Sequence, residues 1–467
     1  MTALFRTLAG EVQRASPDSG VFPVSSKHLA AVSEVAGGQC NPMDADTLTR
    51  VVALEQKLST LTGELAQARN DVRAMKMAFD IADLSRRKNK KRVVLFFGRD
   101  QFVDNSKYLF AHAALTQRHF VPVWCSFNSA LVAELKSHGF VAFDMGKDHS
   151  RTISLFLSAA VAVHCVNPHE ALRALVLEAA LAGAVRLQLW HGVGHVGTKK
   201  IDLMLSEQMN LLNPLSVDQL HGASSIDVMV SPSRRFDAFW RASFGVRDII
   251  RAGLPRNEVL LREPTAIDGI GAVEFQPAWR RHPGVRLLWA PTFTGAHDLP
   301  VWAKPEIVSA LLSGAAERNP LLFVKPHPFD QAKIDRGVQP APGVILLPAD
   351  RDIYPVLDRF DLLITDKSSL LSDFLLLDRP VLMLNATADA DPKLWMVYGD
   401  APSPGIEATY AEAAAALRTA LCEDRHAAAR AANRQVIFET DPAAACADIT
   451  RAIAGILSER CPDADAA

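Results

Sequence analysis

The sequence predicts an α/β protein made of two Rossmann-like domains that face a cleft, preceded by a long coiled-coil helix. Three observations lead to this prediction. Short apolar segments alternate with amphipathic ones from Val93 onward, as in a parallel sheet covered by helices on both faces. This alternation begins again near Val285, after a patch rich in proline and arginine. An unbroken heptad pattern precedes the first strand.

Composition sets the broad class. A chain of 467 residues is too long for one core and suits two or three domains. A hydrophobic fraction of 49% and a formal net charge of -2 are typical of a globular protein and give no reason to expect nucleic acid. The six scattered cysteines form no CxxC pair, which argues against a disulfide scaffold or zinc site and favours a reducing cytoplasm. We expect no secretory leader, because Arg6, Glu11 and Arg14 interrupt any apolar stretch at the N-terminus, and no membrane span, because no apolar window reaches about 18 residues.

The N-terminal elements come first along the chain. Residues 1–45 are predicted to be irregular, and residues 46–84 to form a coiled-coil helix that makes the protein a homo-oligomer through residues 48–82. The alternative is an amphipathic helix lying on the protein's own core. The apolar seam alternates spacings of three and four through Val51, Leu54, Leu58, Leu61, Leu65, Ala68, Val72, Met75, Phe79 and Ala82.

A basic segment, residues 85–92, is predicted to link this helix to the first domain. Six of the seven residues from Arg86 to Arg92 are positively charged. Such charges attract an anionic lipid surface by about 1 kcal/mol each. A solvated linker explains them equally well, whereas nucleic acid is disfavoured because no aromatic residues are interleaved.

The two α/β domains are predicted over residues 93–270 and 271–460. The first is expected to contain strands at Val93–Phe97, Val121–Phe127, Val161–Val166, Arg186–Trp190, Asp227–Ser231 and Asp248–Arg251. The second is expected to contain strands at Val285–Ala290, Leu321–Lys325, Val344–Leu347, Asp361–Thr365 and Val381–Leu384, then Ala-rich helices. Ligands bind at the carboxyl ends of parallel strands, so polar residues there predict an interdomain site.

Polar motifs follow several of these strands. His191 ends the QLWHG segment and precedes a Gly-rich loop with Lys199 and Lys200, which suits a general base that faces an anionic substrate. A purely structural histidine is the alternative. Ser368 and Ser369 begin a predicted helix, whose free N–H groups favour a phosphate; two ordinary N-cap serines are the alternative.

Other candidate residues occupy equivalent positions in the second half. Lys325 and His327 stand in a KPHP segment after a strand, where both can reach a phosphate. Arg256 lies in a GLPRN segment, which is expected either to form a hinge turn or to contact a phosphate. Thr292, in an APTF segment, is expected to face the cleft.

Missing motifs exclude several classes of function. The sequence has no P-loop, no HExxH or HxH cluster, no Asp-x-Asp at a strand end and no GxSxG elbow. A lone GxGxxG match at Gly192, Gly194 and Gly197 lacks the βαβ context of a dinucleotide site. We therefore expect no cofactor and no divalent metal.

In their order along residues 93–400, these pieces resemble the CDP-glycerol glycerophosphotransferase family, which includes teichoic acid and capsule polymerases. The segments that carry the resemblance are DNSKY at 104–108, QLWHG at 188–192, SPS at 231–233, GLPRN at 253–257, APTF at 290–293, KPHP at 325–328, TDKSS at 365–369, Asp373-Phe374 and LDRP at 377–380. The resemblance implies a GT-B-like fold, with the CDP donor held by the C-terminal domain and the acceptor by the N-terminal one.

The resemblance also implies residue roles. His191 would activate the acceptor hydroxyl, and His327 with Lys325 would stabilise the transferred phosphate. Ser368 and Ser369, with the helix N-terminus behind them, would hold the pyrophosphate, and Thr365 and Asp366 of the same TDKSS segment would belong to the substrate-binding residues. Arg256 and Thr292 would line the cleft, and Asp373 would reach ribose or polyol hydroxyls.

The implied activity is transfer of glycerol phosphate, or a related polyol phosphate, to a glycan or lipid-linked acceptor, with release of CMP. The protein would be cytoplasmic, peripheral on the inner face of the plasma membrane. A sugar-nucleotide glycosyltransferase of the same architecture and a coiled-coil scaffold with an inactive transferase domain remain as alternatives.

Overall fold

The computed structural model describes residues 45–193, 226–293, 298–366, 368–386 and 401–462. The chain divides into two compact units, Met1–Asp71 and Val72–Ala467. The described part of the first unit is helical and belongs to α1, which runs from Ala45 to Arg87. The second unit contains the end of α1 and two parallel β-sheets.

Helix α1 leaves its apolar seam exposed over most of its length. Leu54 and Leu58 are 65% and 66% exposed, and Val72 is 64% exposed. Near its C-terminus the helix is instead packed, because Ala78, Ala82 and Ser85 are buried. The pairing of the exposed seam with a second copy remains a prediction.

The predicted basic linker is shorter than expected, because its residues belong to flanking elements. Helix α1 continues to Arg87, and the first strand already begins at Lys91. Lys90 is held in place, since its ammonium donates to the Leu157 carbonyl at 2.9 Å and to the Ser85 hydroxyl at 3.2 Å. The Arg92 guanidinium donates to the Cys461 carbonyl at 3.4 Å. Only part of the positive run therefore faces solvent.

The first sheet has seven parallel strands in the order β3-β2-β1-β4-β5-β6-β7. Strands β1–β7 are Lys91–Phe97, Val121–Ser126, Ala142–Asp144, Ala159–His164, Val185–Gln188, Val228–Ser231 and Asp248–Arg251. Helices α2–α7 are Asp104–Thr116, Ser129–Ser137, His149–Ser158, Pro168–Leu172, Leu175–Ala180 and Asp237–Phe244. A 3₁₀ helix, Pro255–Leu260, follows the last strand.

The second sheet has six parallel strands in the order β10-β9-β8-β11-β12-β13. Strands β8–β13 are Arg286–Ala290, Leu321–Val324, Val344–Leu346, Leu362–Thr365, Val381–Asn385 and Ile406–Thr409. Helices α8–α14 are Pro277–Arg280, Pro305–Gly314, Gln331–Asp335, Leu370–Phe374, Ala413–Cys422, Ala427–Ile437 and Ala445–Arg460. A 3₁₀ helix, Tyr354–Arg359, lies between β10 and β11.

Both sheets share one topology. In each, the first strand has the second on one side and the fourth on the other, which is the doubly wound order. The order of the strands reverses between β1 and β4 in the first sheet and between β8 and β11 in the second. Such switch points open a crevice at the carboxyl ends of the strands, and this is where a ligand is expected.

The core follows the two-residue period of the strands. Leu288 and Ala290 belong to a large apolar cluster that extends through both halves, whereas Leu287 and Trp289 belong to a second cluster on the other face of the same sheet. A sheet buried on both faces needs apolar runs rather than alternation, which is why its strands were readable from the sequence.

The C-terminal helix returns to the first half. Helix α14 packs against α2 and the Pro255–Leu260 segment, and its Ile449, Ile453 and Leu457 are completely buried. The limits predicted for the domains, which placed this helix in the second, stay a prediction. Among the described residues, no helix is both long enough and apolar enough to cross a membrane.

Candidate active site

A cavity of about 200 Å³ lies at the two switch points, between the halves of the second unit. Residues that follow β1, β4 and β5 line it from the first half, and residues that follow β8, β9, β10 and β11 line it from the second. Of the residues predicted from the sequence, His191, Arg256, Lys325, His327, Ser368 and Ser369 line this cavity. Lys199 and Lys200 lie outside the described residues.

His191 is presented to the cavity by an unusual turn after β5. Trp190 has a φ of +54°, a region that bulky residues rarely adopt. The Gln188 side chain fixes this turn, because it accepts from the Trp190 N–H at 2.9 Å and donates to the Val166 carbonyl at 2.9 Å. Backbone strain held by surrounding contacts is common at functional sites.

The hydrogen bonding of His191 suits a general base. Its Nδ1 lies 3.2 Å from the Cys165 carbonyl, which can only accept, so Nδ1 carries the proton. The lone pair is then on Nε2, the nitrogen left for a substrate. Burial, and then the positive charge of Arg99, lower the pKa of His191 from 6.5 to about 3. The ring is therefore neutral at neutral pH.

His327 has the opposite arrangement. Its Nδ1 accepts the N–H of Phe329 at 3.2 Å, so the proton of the neutral ring is on Nε2. Pro326 and Pro328 hold the backbone on either side. Burial, and then Arg99, lower the pKa of His327 to about 4. His327 thus offers an N–H donor where His191 offers a lone pair.

Lys325 is fixed at the end of β9. Its ammonium donates to the carbonyls of Pro348 and Ala349, at 2.8 and 2.7 Å. Burial lowers its pKa to about 8 against the opposing effect of Asp352 and Asp350. The group is mostly charged at neutral pH, and it lies in the cavity wall as an anchored cation.

Ser369 connects the two halves at the cavity. Its hydroxyl donates to the His191 carbonyl at 3.0 Å. A Cβ added at Gly192 would lie 2.5 Å from the Ser369 Cβ, so only glycine permits this approach. The Ser368 hydroxyl accepts the Leu370 N–H at 3.3 Å, as an N-terminal serine of the short helix α11 does. Ser369 therefore also has a role in bringing the halves together.

Four predicted site residues do not face the cavity. The Thr292 hydroxyl donates to Asp366 at 2.6 Å, and the Thr365 hydroxyl donates to the Ala290 carbonyl at 2.8 Å. These bonds tie the end of β8 to the end of β11. Asp373 is buried and accepts from Arg256 at 2.6 Å and from the Tyr354 hydroxyl. The Asp373 carboxylate is enclosed in this structure, and its contact with ribose or polyol hydroxyls stays a prediction.

Arg256 lines the cavity, but its guanidinium is largely occupied. It donates to Asp104 at 2.7 Å and to Asp373 at 2.6 Å, and it lies over the Tyr354 ring with its central carbon 4.8 Å from the centroid. Asp104 follows β1, whereas Asp373 and Tyr354 belong to the second half. Arg256 therefore joins the two halves beside the cavity.

Sequence reasoning missed Arg99. It lies two residues after the end of β1, lines the cavity, and is close enough to lower the pKa of both histidines. Its Nε donates to Glu170 at 3.0 Å, which orients it. The available signal was its place at a strand end, but no motif surrounded it.

A buried ion pair in the wall of the cavity was also missed. Lys107 and Tyr108, in the DNSKY segment, donate to Asp352 at 2.8 and 2.6 Å. Lys107 and Asp352 are almost completely buried and join α2 to the loop after β10. Lys107 and Tyr108 were recognised in the sequence as part of the DNSKY motif, but their partner Asp352 was not.

Comparison with known proteins gives a consistent result. The model of the family described as CDP-glycerol:poly(glycerophosphate) glycerophosphotransferase matches residues 78–454. The teichoic acid ribitol-phosphate polymerase TarK of Staphylococcus aureus is 26% identical over 203 residues, which are 42% of this chain and 38% of TarK. TarL of the same organism is 25% identical over 42% of this chain and 34% of its own length. The chain therefore spans well under half of these relatives.

Solved structures agree on the fold. The wall teichoic acid polymerase TagF superposes with a TM-score of 0.59 at 16% identity, over 86% of this chain and 99% of that one. A TagF variant soaked with CDPG gives a TM-score of 0.59 at 17% identity, over 85% and 98% of the two chains. At these identities the likeness establishes the GT-B-like fold.

Proposed function

This chain belongs to the CDP-glycerol:poly(glycerophosphate) glycerophosphotransferase family, and on that premise we propose that it transfers a polyol phosphate from a CDP-activated donor. The transferred group is glycerol phosphate or a related polyol phosphate, and CMP is the leaving product. The acceptor is a glycan or another lipid-linked molecule in teichoic acid or capsule synthesis. One observation carries the proposal: two neutral histidines line one cleft, one as acceptor and the other as donor.

In this reaction His191 acts on the acceptor. Its Nε2 takes the proton of the acceptor hydroxyl as the oxygen attacks the β-phosphorus of the donor. The bond between the β-phosphorus and the oxygen bridging to the α-phosphate breaks, and CMP leaves with that electron pair. A general base of this kind contributes about 10²–10⁴-fold to the rate. The negative charge of the bound donor raises the pKa of His191 toward the working range.

The developing charge on phosphate is met by fixed donors. His327 presents its Nε2–H, Lys325 its anchored ammonium, and Arg99 a guanidinium oriented by Glu170. Phosphoryl transfer needs such positioned cations and N–H groups, not a covalent nucleophile. We assign Arg99 to neutralise the phosphate between the two histidines.

The donor is assigned to the second half and the acceptor to the first. Lys325, His327 and Ser368 come from the second half, and His191 from the first. The bonds of Arg256 and Ser369 across the cleft would be remade as the halves open and close around the substrates.

The leaving nucleotide tests this function. Purified protein is offered CDP-glycerol, CDP-ribitol, UDP-sugars and GDP-sugars with acceptor, and the released nucleotide is identified. Release of CMP supports the proposal, whereas UDP or GDP would indicate a glycosyltransferase. If no donor binds and none gives a product, the result would favour an inactive scaffold. The ribitol donor belongs in the panel because TarK and TarL are ribitol-phosphate polymerases.

The N-terminal region supports a proposal about assembly and location. We assign the exposed seam of α1 to pairing with a second copy, because its heptads are unbroken and its leucines face solvent. We place the protein in the cytoplasm, peripheral on the inner membrane face.

Membrane association is tested with the charges that face solvent. Arg86, Arg87, Lys88 and Lys91 are exposed, and of these Arg87 is paired with Asp83, whereas Lys90 is engaged by Ser85 and Leu157. Changing Arg86, Lys88 and Lys91 to Gln should reduce sedimentation with anionic liposomes and leave oligomer size unchanged. Equal sedimentation of the variant would contradict a lipid role.

A further inference from the structure

A second group of chemically active side chains lies outside the cavity. His112, Glu258 and Cys446 bring one imidazole nitrogen, one carboxylate oxygen and one thiol sulfur within 4.8 Å of one another. None of the three lines the cleft. They come from α2, from the Pro255–Leu260 segment and from the first turn of α14, which pack together.

We propose that His112, Glu258 and Cys446 form a three-ligand site for a divalent metal of the zinc type. Imidazole, carboxylate and thiolate together are a donor set that zinc binds well, and three protein ligands leave a fourth position for water. Magnesium and calcium are disfavoured because they prefer oxygen ligands only.

The spacing fits such a site after a small contraction. Tetrahedral bonds of about 2.0–2.3 Å place ligand atoms roughly 3.3–3.8 Å apart, so donors within 4.8 Å need to move by about 1 Å or less. Each donor sits on a rotatable side chain. Cys446 is buried, while His112 and Glu258 are partly exposed, so a metal can enter from the solvent side.

The ligands also balance the charge of the metal. Glu258 and a Cys446 thiolate offset the two positive charges of the metal, and binding releases the thiol proton. Arg262 is nearby, but its guanidinium is paired with Asp268 by bonds of 2.7 and 2.9 Å.

Without a metal, Glu258 already has one structural task. Its carboxylate accepts the N–H of Cys446 at 2.6 Å and so caps α14. A metal would strengthen the same junction, because it would join α14 to α2 and to the segment that carries Arg256. The site is therefore structural, and the transfer chemistry proposed above does not pass through it.

The sequence did not predict this site because its ligands are more than a hundred residues apart. Local spacings such as CxxC or HExxH find only ligands that are close along the chain.

Cobalt provides a direct test. Full-length protein is stripped with a chelator and titrated with Co²⁺ at micromolar concentrations, while near-ultraviolet absorption is recorded. We expect a thiolate-to-cobalt charge-transfer band that saturates at one metal per chain and disappears on competition with Zn²⁺. No band, or a band that Cys446→Ala retains, would overturn the proposal.

Two variants control the measurement. Cys422 is exposed and outside the cluster, so Cys422→Ala should keep the band. His112→Ala removes a partly exposed ligand, and we expect the metal affinity to fall at least about tenfold, as loss of even an outer-shell partner can do. If Cys446→Ala does not fold, His112→Ala decides: unchanged affinity in that variant contradicts the site. Zn²⁺ should also raise the Tm of the wild type and of Cys422→Ala, but not of His112→Ala.

Discussion

The two cleft histidines differ in what their Nδ1 atoms contact, and this difference assigns their roles. A backbone carbonyl faces Nδ1 of His191, and a backbone N–H faces Nδ1 of His327. Each partner belongs to the main chain, so the tautomers are fixed by the fold and not by substrate. The sequence showed two histidines at strand ends, but it contained no information on which nitrogen each would present.

Loss of the base should be visible in turnover and not in donor binding. His191→Gln removes the imidazole lone pair, and we expect kcat to fall by about 10²–10⁴-fold while the Kd for CDP-glycerol changes little. Single-turnover kinetics and donor titration measure the two quantities. His119→Ala, at an exposed position outside the cavity, is the control and should behave as wild type. Wild-type turnover in His191→Gln would remove this residue from the mechanism.

Arg99 should act on both rate and pH dependence. Arg99→Ala removes a cation from the phosphate site, and charged hydrogen bonds are worth about 1.5–3 kcal/mol, so kcat/KM should fall at least about tenfold. Because Arg99 lowers the pKa of both histidines, its removal raises those pKa values and moves the acid limb of the pH–rate profile to higher pH.

The matched control for Arg99 is Arg118→Ala, at an exposed arginine outside the cavity, with an expected wild-type profile. A fall in kcat/KM with an unmoved acid limb would show that Arg99 only supports the loop.

His164 should make the protein sensitive to acid. It is buried at the end of β4, stacked on Phe97 with centroids 4.7 Å apart, and neither ring nitrogen has a partner among the described residues. Burial lowers its pKa from 6.5 to about 3. Below about pH 6.5 the unfolded chain takes up a proton that the folded chain excludes, so stability falls by up to about 1.4 kcal/mol per pH unit.

His164→Met removes this group while keeping an apolar side chain. We expect its free energy of unfolding, measured with urea at pH 7 and pH 5.5, to decline less on acidification than that of the wild type. The other buried histidines contribute equally to both proteins and cancel. Parallel declines would contradict the prediction.

At the scale of elements, strands were predictable where both faces of a sheet are buried. The central strands differ from their predicted bounds by one or two residues at an end, and the edge strand Asp248–Arg251 was predicted with the bounds it has. The edge strands Ala142–Asp144 and Ile406–Thr409 were missed because they are short and carry no apolar run. The amphipathic segment from Glu170 to Ala182 suggests one helix, but the structure interrupts it at Arg173, whose φ is +60°, and no glycine or proline marks that break.

The contact between the loop after β5 and the start of α11 should control cleft closure. Gly192→Ala places a methyl group 2.5 Å from the Ser369 Cβ, so the halves cannot approach as they do here. We expect a higher KM and a lower kcat. Ser369→Gly in the same chain removes the opposing Cβ, and the double variant should recover part of the loss.

The four proteins of this cycle are compared by kcat and KM, with folding checked by circular dichroism. If the effects of Gly192→Ala and Ser369→Gly simply add, the two residues do not meet during turnover.

At the scale of the whole molecule, the cleft was predictable from the sequence, but the hydrogen bonds between the polar side chains around it were not. Two doubly wound sheets in sequence imply a site between them, and the strand-end motifs identified six of its lining residues. Asp373 is enclosed and Thr292 is engaged because each has a hydrogen-bond partner from a distant segment, Tyr354 for Asp373 and Asp366 for Thr292. A single sequence does not show which buried polar groups satisfy one another.

Charged substitutions in α1 can show whether its exposed seam joins two copies of the chain. If the seam is intermolecular, Leu58→Asp with Leu65→Asp places charge against the partner helix, and the oligomer should become a monomer.

Deletion of residues 1–71 should also convert the oligomer to a monomer. The cut is placed there because Ala78, Ala82 and Ser85 are buried, so removal of residues up to 84 would expose part of the folded unit. Gln56→Asp with Asn70→Asp, on the exposed face of the helix opposite the seam, adds the same two negative charges and is the control that should leave the oligomer intact. Light scattering at micromolar concentration measures all four proteins. A wild-type protein that is already monomeric would show that the seam serves another partner or none, and CMP release by the deleted protein would show that the transferase does not need it.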